Sequence, residues 1–96
     1  MIIFIDIDET ICHSPNKDYV NSTPIYANID KANKLYDQGH TIIYWTARGS
    51  GSGIDWTNLT HNQLDRWEVK RHDLKLGKPS YDLFIDDKAL NTLDWK

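Results

Sequence analysis

The stretch that decides the fold is Met1-Ile2-Ile3-Phe4-Ile5-Asp6-Ile7-Asp8-Glu9-Thr10. An unbroken apolar run rich in β-branched side chains and then stopped by acids reads as a buried parallel strand. In open α/β sheets ligands bind beyond the carboxyl ends of the strands, so Asp6 and Asp8 stand where chemistry is expected. Along an extended chain both side chains project to one side, and two carboxylates converging on one point call for a cation. Mg²⁺ suits them, because it takes oxygen ligands and is usually held by one or two carboxylates together with phosphate oxygens and water. The plainer alternative is a strand ending in a polar turn, with Asp8 or Thr10 capping the next segment of chain.

Two further apolar runs end in polar groups. Thr41-Ile42-Ile43-Tyr44-Trp45 leads into Thr46-Ala47-Arg48-Gly49, and Asp82-Leu83-Phe84-Ile85, preceded by Gly77-Lys78-Pro79, leads into Asp86-Asp87. In this order the chain resembles the haloacid dehalogenase (HAD) superfamily of phosphoryl-transfer enzymes. Its motifs are DxDx(T/V), a Thr or Ser closing the second strand, a Lys, and a late acidic pair. The resemblance covers nearly the whole chain and rests chiefly on the first motif and the Asp-Asp.

The resemblance implies an α/β, three-layer Rossmann-like (HAD-like) domain with a mostly parallel central sheet. It also implies Asp6 as nucleophile and Asp8 as general acid and base. Thr46 and the adjacent backbone N–H at Ala47 would bind a phosphate oxygen, Lys78 would offset the remaining charge, and Arg48 would be a further anion contact. Mg²⁺ would be held by Asp6, Asp8 through its backbone carbonyl, and Asp86, with Asp87 binding or orienting. Lys75 and Lys88 are the reserve lysines. The implied activity is Mg²⁺-dependent hydrolysis of a small phosphorylated metabolite, a sugar or sugar-acid phosphate, through an aspartyl-phosphate. A phosphotransferase or mutase would share every one of these residues. A signalling receiver uses the same residue types in another order, and a non-catalytic binding module would not need both Asp6 and Asp8.

A chain of 96 residues makes one domain, 1–96, with a thin core that four Trp and five Tyr help to fill. The net charge of −3 argues against binding to nucleic acid or to an anionic membrane surface. The single Cys12 excludes an internal disulfide, and the short N-terminal apolar run, broken at Asp6, is neither a signal peptide nor a membrane span. The expected compartment is the cytoplasm. His13, His40, His61 and His72 are scattered without metal-ligand spacing, which argues against zinc.

Along the chain, Ile11 to Ser22 reads as a loop or short hairpin, too short for the cap domain that covers many HAD sites. Thr23-Pro24 reads as a helix start, and Ile25, Ile29, Ala32 and Tyr36 share one face of a helix that Gly39 ends. Gly49 to Gly53 lacks the Lys of a P-loop and reads as a mobile loop beside the site. Asp55 caps a second helix from Trp56 to about Trp67, and Val69 to Leu74 alternates imperfectly as a strand. Lys75 to Tyr81 offers about half the length that a parallel crossover needs. A short C-terminal helix from Lys88 would bring Leu90, Leu93 and Trp95 onto the domain. An uncovered site and exposed apolar surface lead to an expectation of self-association, with a second subunit supplying the missing wall.

Overall fold

The computed structural model describes all of residues 1–96. Three parallel strands, β1 (Ile2–Ile5), β4 (Thr41–Trp45) and β5 (Asp73–Lys75), form a sheet in the order β1-β4-β5. Between the first two lie a small antiparallel hairpin, β2 (Cys12–His13) with β3 (Thr23–Pro24), and the helix α1 (Tyr26–Asp37). The helix α2 (Thr57–Arg66) carries the chain from β4 to β5. The molecule is thus a small α/β domain, and no helix is long and apolar enough to cross a membrane.

Pairing sets which residues share a face. Ile3 sits beside Ile42, and Ile5 and Leu74 sit on either side of Tyr44. Ile5, Ile42, Tyr44 and Leu74 pack with Ile29 and Ala32 of α1, with Leu64 of α2, and with Trp67 and Val69 beyond it in one core. The opposite face, with Ile2, Phe4, Ile43 and Trp45, is thinly covered: Phe4 meets Trp45 edge to face at 6.0 Å, and Ile2 is 71% exposed. β1 is therefore an open edge strand, where the sequence reading has it buried among parallel neighbours.

Thr23-Pro24 does not start the helix. These residues pair with Cys12 and His13, and the Ile25 N–H donates to the Ile11 carbonyl at 2.8 Å, so the ladder claims them and α1 begins at Tyr26. Pro24 is tolerated because this two-stranded ladder is all edge. The helix ends as expected, with Gly39 at φ +94°. Asp55 also acts as expected, accepting from the Thr57 N–H at 2.9 Å at the start of α2. The crossover difficulty resolves in favour of β5, which is parallel to β4 with α2 as its crossover.

Asp82-Leu83-Phe84-Ile85 forms no strand in this structure. Its residues are solvent-exposed, Leu83 at 75% and Ile85 at 87%. Leu76 to Tyr81 contains no helix, the usual crossover between parallel strands, and Asp82–Ile85 pairs with no strand of the sheet. The tail ends in a single 3-10 turn at Thr92–Asp94 instead of a longer helix, and Trp95 returns to α1, where its carbonyl accepts from Lys31 at 2.7 Å. Leu90 and Leu93 stay exposed.

Candidate active site

Asp6 lies just past the end of β1 and Lys78 just past β5, with β4 between them. The β4–β5 ladder continues beyond the strands: the Thr46 N–H donates to the Lys75 carbonyl and the Lys78 N–H to the Thr46 carbonyl, both at 3.0 Å. This register carries Lys78 to the carboxyl end of the sheet, where its ammonium stands 3.5 Å from the Asp6 carboxylate. The side chain threads between aromatic rings, 5.9 Å from the centre of Trp45 and 5.4 Å from that of Tyr81. A cavity of about 560 Å³ opens over this pair, lined also by Ala47, Ser80 and Asp82.

Two influences oppose each other at Asp6. Burial, the larger, pushes its carboxyl above the usual range, and Lys78 pulls it back without restoring it. A positive group bound in the cavity would favour the ionised, nucleophilic form.

Asp8 is held differently. The chain turns sharply after it, with Glu9 in the left-handed region at φ +60° and the Ile7 carbonyl accepting from Thr10 and Ile11. Arg48 grips the Asp8 carboxylate through Nε and Nη2 at 3.0 and 2.8 Å, and the Ser14 hydroxyl donates to it at 2.6 Å. Burial again opposes ionisation and is the largest single influence. The bonds from Arg48 and Ser14 and the guanidinium charge together outweigh it, leaving Asp8 below the ordinary carboxylate range.

Arg48 is almost wholly buried, and all five of its N–H donors are spent inside the protein. Besides Asp8 they reach Thr60 Oγ1 at 3.1 Å, Gln63 Oε1 at 2.6 Å and the Ser22 hydroxyl at 3.4 Å. The sequence reading of Arg48 as a direct contact to substrate therefore gives way to an internal one: it orients Asp8. Thr46 is likewise fully buried, and its hydroxyl accepts from the Arg48 N–H at 3.1 Å. Ala47, not Thr46, lines the cavity floor.

The late acidic pair is not brought to the site. Asp86 and Asp87 are exposed and line neither cavity, because the segment that was to carry them as a strand lies off the sheet. No three acidic, His or Cys side chains cluster closely enough to hold a metal ion. Lys75 pairs loosely with Asp73 at 3.8 Å and Lys88 is exposed, so of the three lysines only Lys78 meets Asp6. Cys12 is buried, with its thiol pushed up to about 11 by burial, which makes it inert as a nucleophile. His13 turns away to Glu9 at 2.6 Å.

A second cavity of about 670 Å³ adjoins the first, sharing Asp6, Lys17, Ala47 and Ser80 with it. Its far walls are Lys17 and Tyr19 from the hairpin, Trp56 before α2, and the Gly/Ser loop. Sequence reasoning missed Lys17, Tyr19 and Trp56, since the hairpin has no periodicity and Trp56 stood only as the start of a helix. The hairpin and the Gly/Ser loop wall part of this space.

Among known proteins, no family model matches the sequence and no curated protein matches it significantly. Its fold is similar to that in the crystal structure of an MCSG target protein from Vibrio cholerae. The two share 25% sequence identity and a TM-score of 0.86, over 97% of this chain and 85% of the other.

Proposed function

We propose that the protein is a capless HAD-like phosphomonoesterase acting on a small phosphorylated metabolite. One observation carries this reading: a half-buried carboxylate, Asp6, at the carboxyl end of β1, faces an ammonium, Lys78, across an open cavity, while a second carboxylate two residues on is locked in place by Arg48. Phosphoryl transfer asks a protein mainly for positioning and charge neutralisation, and this arrangement offers both.

In the first step the Asp6 carboxylate attacks phosphorus, the bond to the leaving oxygen breaks, that oxygen takes a proton from solvent and departs as the alcohol, and an aspartyl-phosphate forms. In the second, Asp8 takes a proton from water as the water attacks that phosphorus, which frees Asp6 and inorganic phosphate. The grip of Arg48 suits Asp8 to this base role, since it holds the carboxyl ionised. Lys78 compensates charge on the phosphoryl oxygens and steadies Asp6.

Mg²⁺ fits the donor chemistry here. Asp6 is paired only with Lys78, the Asp8 backbone carbonyl accepts no hydrogen bond, and Mg²⁺ is content with one or two protein oxygens beside phosphate and water. When bound it would neutralise phosphate charge.

The finer fold belongs to the same proposal: a Rossmann-like sheet in which Asp82–Ile85 lies along the open edge of β1, covering Phe4 and Trp45 and bringing Asp86 and Asp87 to Asp6. What supports it is the match between an unpaired, apolar edge and an exposed apolar run that ends in acids. Phosphate release from para-nitrophenyl phosphate and a metabolite panel, with Mg²⁺ or chelator, tests the activity. Acid-quenched labelling tests the nucleophile: label persisting on Asp6→Asn would remove Asp6 from that role.

A further inference from the structure

The groups that hydrolysis uses stand where the two cavities meet, Asp6 in both, Lys78 in the first and Asp8 in the second, and the second and larger cavity runs on beyond them. Its far wall differs in chemistry from a phosphate cradle. Tyr19 and Trp56 meet edge to face, 5.2 Å between centres and 79° between planes, and form an aromatic corner. The corner is built in: an added Cβ at Gly49, whose φ is +83°, would come within 2.2 Å of the Ile54 carbonyl oxygen and 3.3 Å of the Trp56 ring. Only glycine lets the loop close against Trp56 in this way.

Lys17 stands apart from the other cations of the site. Arg48 is taken by Asp8 and Lys78 by Asp6, whereas the Lys17 ammonium has no ion-pair or hydrogen-bond partner, its backbone N–H alone donating to the Ser14 carbonyl, and the residue lines both cavities. It is reached through two consecutive residues in the left-handed region, Asn16 at φ +56° and Lys17 at φ +57°. That conformation costs a residue with a side chain on the order of 1 kcal/mol or more, and such strain collects at ligand sites.

Resting on the phosphomonoesterase reading, we propose that Lys17 determines specificity by receiving a second anionic group on the leaving part of the substrate. The ring of that leaving part lies in the corner of Trp56 and Tyr19. The substrate class is a phosphorylated sugar carrying a carboxylate or a further phosphate. The C–H face of a sugar ring packs on an aromatic face while its hydroxyls remain near the Gly/Ser loop, and an unpaired ammonium gives a charge-assisted bond to one end.

Three esters with the same ring and the same phosphate position separate the possibilities: glucose 1-phosphate, glucuronate 1-phosphate and glucose 1,6-bisphosphate. Their affinities are read by calorimetry on Asp6→Asn with Mg²⁺, and their turnover on the wild-type protein. Each of the two further-charged esters, or the one whose charge Lys17 receives, binds about tenfold more tightly than glucose 1-phosphate. Lys17→Gln brings that ratio close to one, and Trp56→Leu weakens all three. Equal affinity for all three esters, or an equal loss on all three in Lys17→Gln, would overturn the assignment and make Lys17 a contact to the transferred phosphate. If the wild-type protein releases phosphate from none of them nor from para-nitrophenyl phosphate, the hydrolase reading fails, while the calorimetric ratio still decides the subsite.

Discussion

Arg48 ties distant parts of the chain together through one side chain. Its guanidinium joins the first acidic motif to Thr60 and Gln63 of α2 and to Ser22 of the hairpin, all without contact with water. Truncation would leave Asp8 as an uncompensated buried charge, so Arg48→Ala should lose about 3–5 kcal/mol in urea unfolding at neutral pH. Lysine keeps the charge but cannot form the fork, and Arg48→Lys should recover only part of the loss. A different residue carries an opposite expectation. The Tyr44 hydroxyl is buried without a hydrogen-bond partner, and Tyr44→Phe should gain about 1 kcal/mol in the same measurement. A loss of similar size would mean that the hydroxyl is satisfied in solution. Asp6 and Asp8 were legible in the sequence because they end an apolar run, whereas Lys78 followed only from the resemblance, with Lys75 and Lys88 in reserve. The role of Arg48 was not, since its partners on α2 are distant in sequence and no local pattern announces them.

Elements were legible where periodicity was strong and tertiary pairing did not compete. β1, β4 and α2 follow their patterns, while the start of α1 yielded to the ladder between Cys12-His13 and Thr23-Pro24. Asp82–Ile85 is the sharpest divergence, an ideal strand pattern that no neighbour takes up. If this segment docks along β1 as proposed, Leu83→Asp separates the two states. Leu83 is 75% exposed, so the free protein should keep its stability within about 0.5 kcal/mol, whereas activity should fall at least tenfold. Hydrogen exchange gives the complementary reading. Amides of Ile2–Ile5 and Asp82–Ile85 should gain protection together when Mg²⁺ and orthovanadate are added. Protection of neither segment in an active sample would remove the docked strand from the proposal.

The whole molecule balances two carboxylates that pull stability in opposite directions with pH. Asp8 titrates lower in the folded protein than in the unfolded chain, so its contribution is fully present above the unfolded value of about 3.9 and is lost as pH falls through the lower folded value. Asp6 titrates higher when folded, chiefly from burial, so its contribution is present below about 3.9 and is lost as pH rises through the folded value. Asp6→Asn should therefore melt at a higher temperature than the wild type at pH 7, with the gap closing below pH 4. An equal or lower melting temperature at pH 7 would show that Asp6 carries no electrostatic strain. The pairing of lost activity with gained stability is what a site built for reaction and not for folding would give.

The hairpin is fastened at its far end as well as at its base. Gln63 of α2 donates to the Tyr19 carbonyl at 2.5 Å, and Arg48 reaches Ser22. A roof bolted to a pillar does not swing. On the opposite side the Gly/Ser loop is fastened too, where the Ser50 hydroxyl donates to the Lys78 carbonyl at 2.6 Å. That latch ties the loop to the backbone of the residue that faces Asp6, so a shift of the loop would carry over to the Lys78–Asp6 pair.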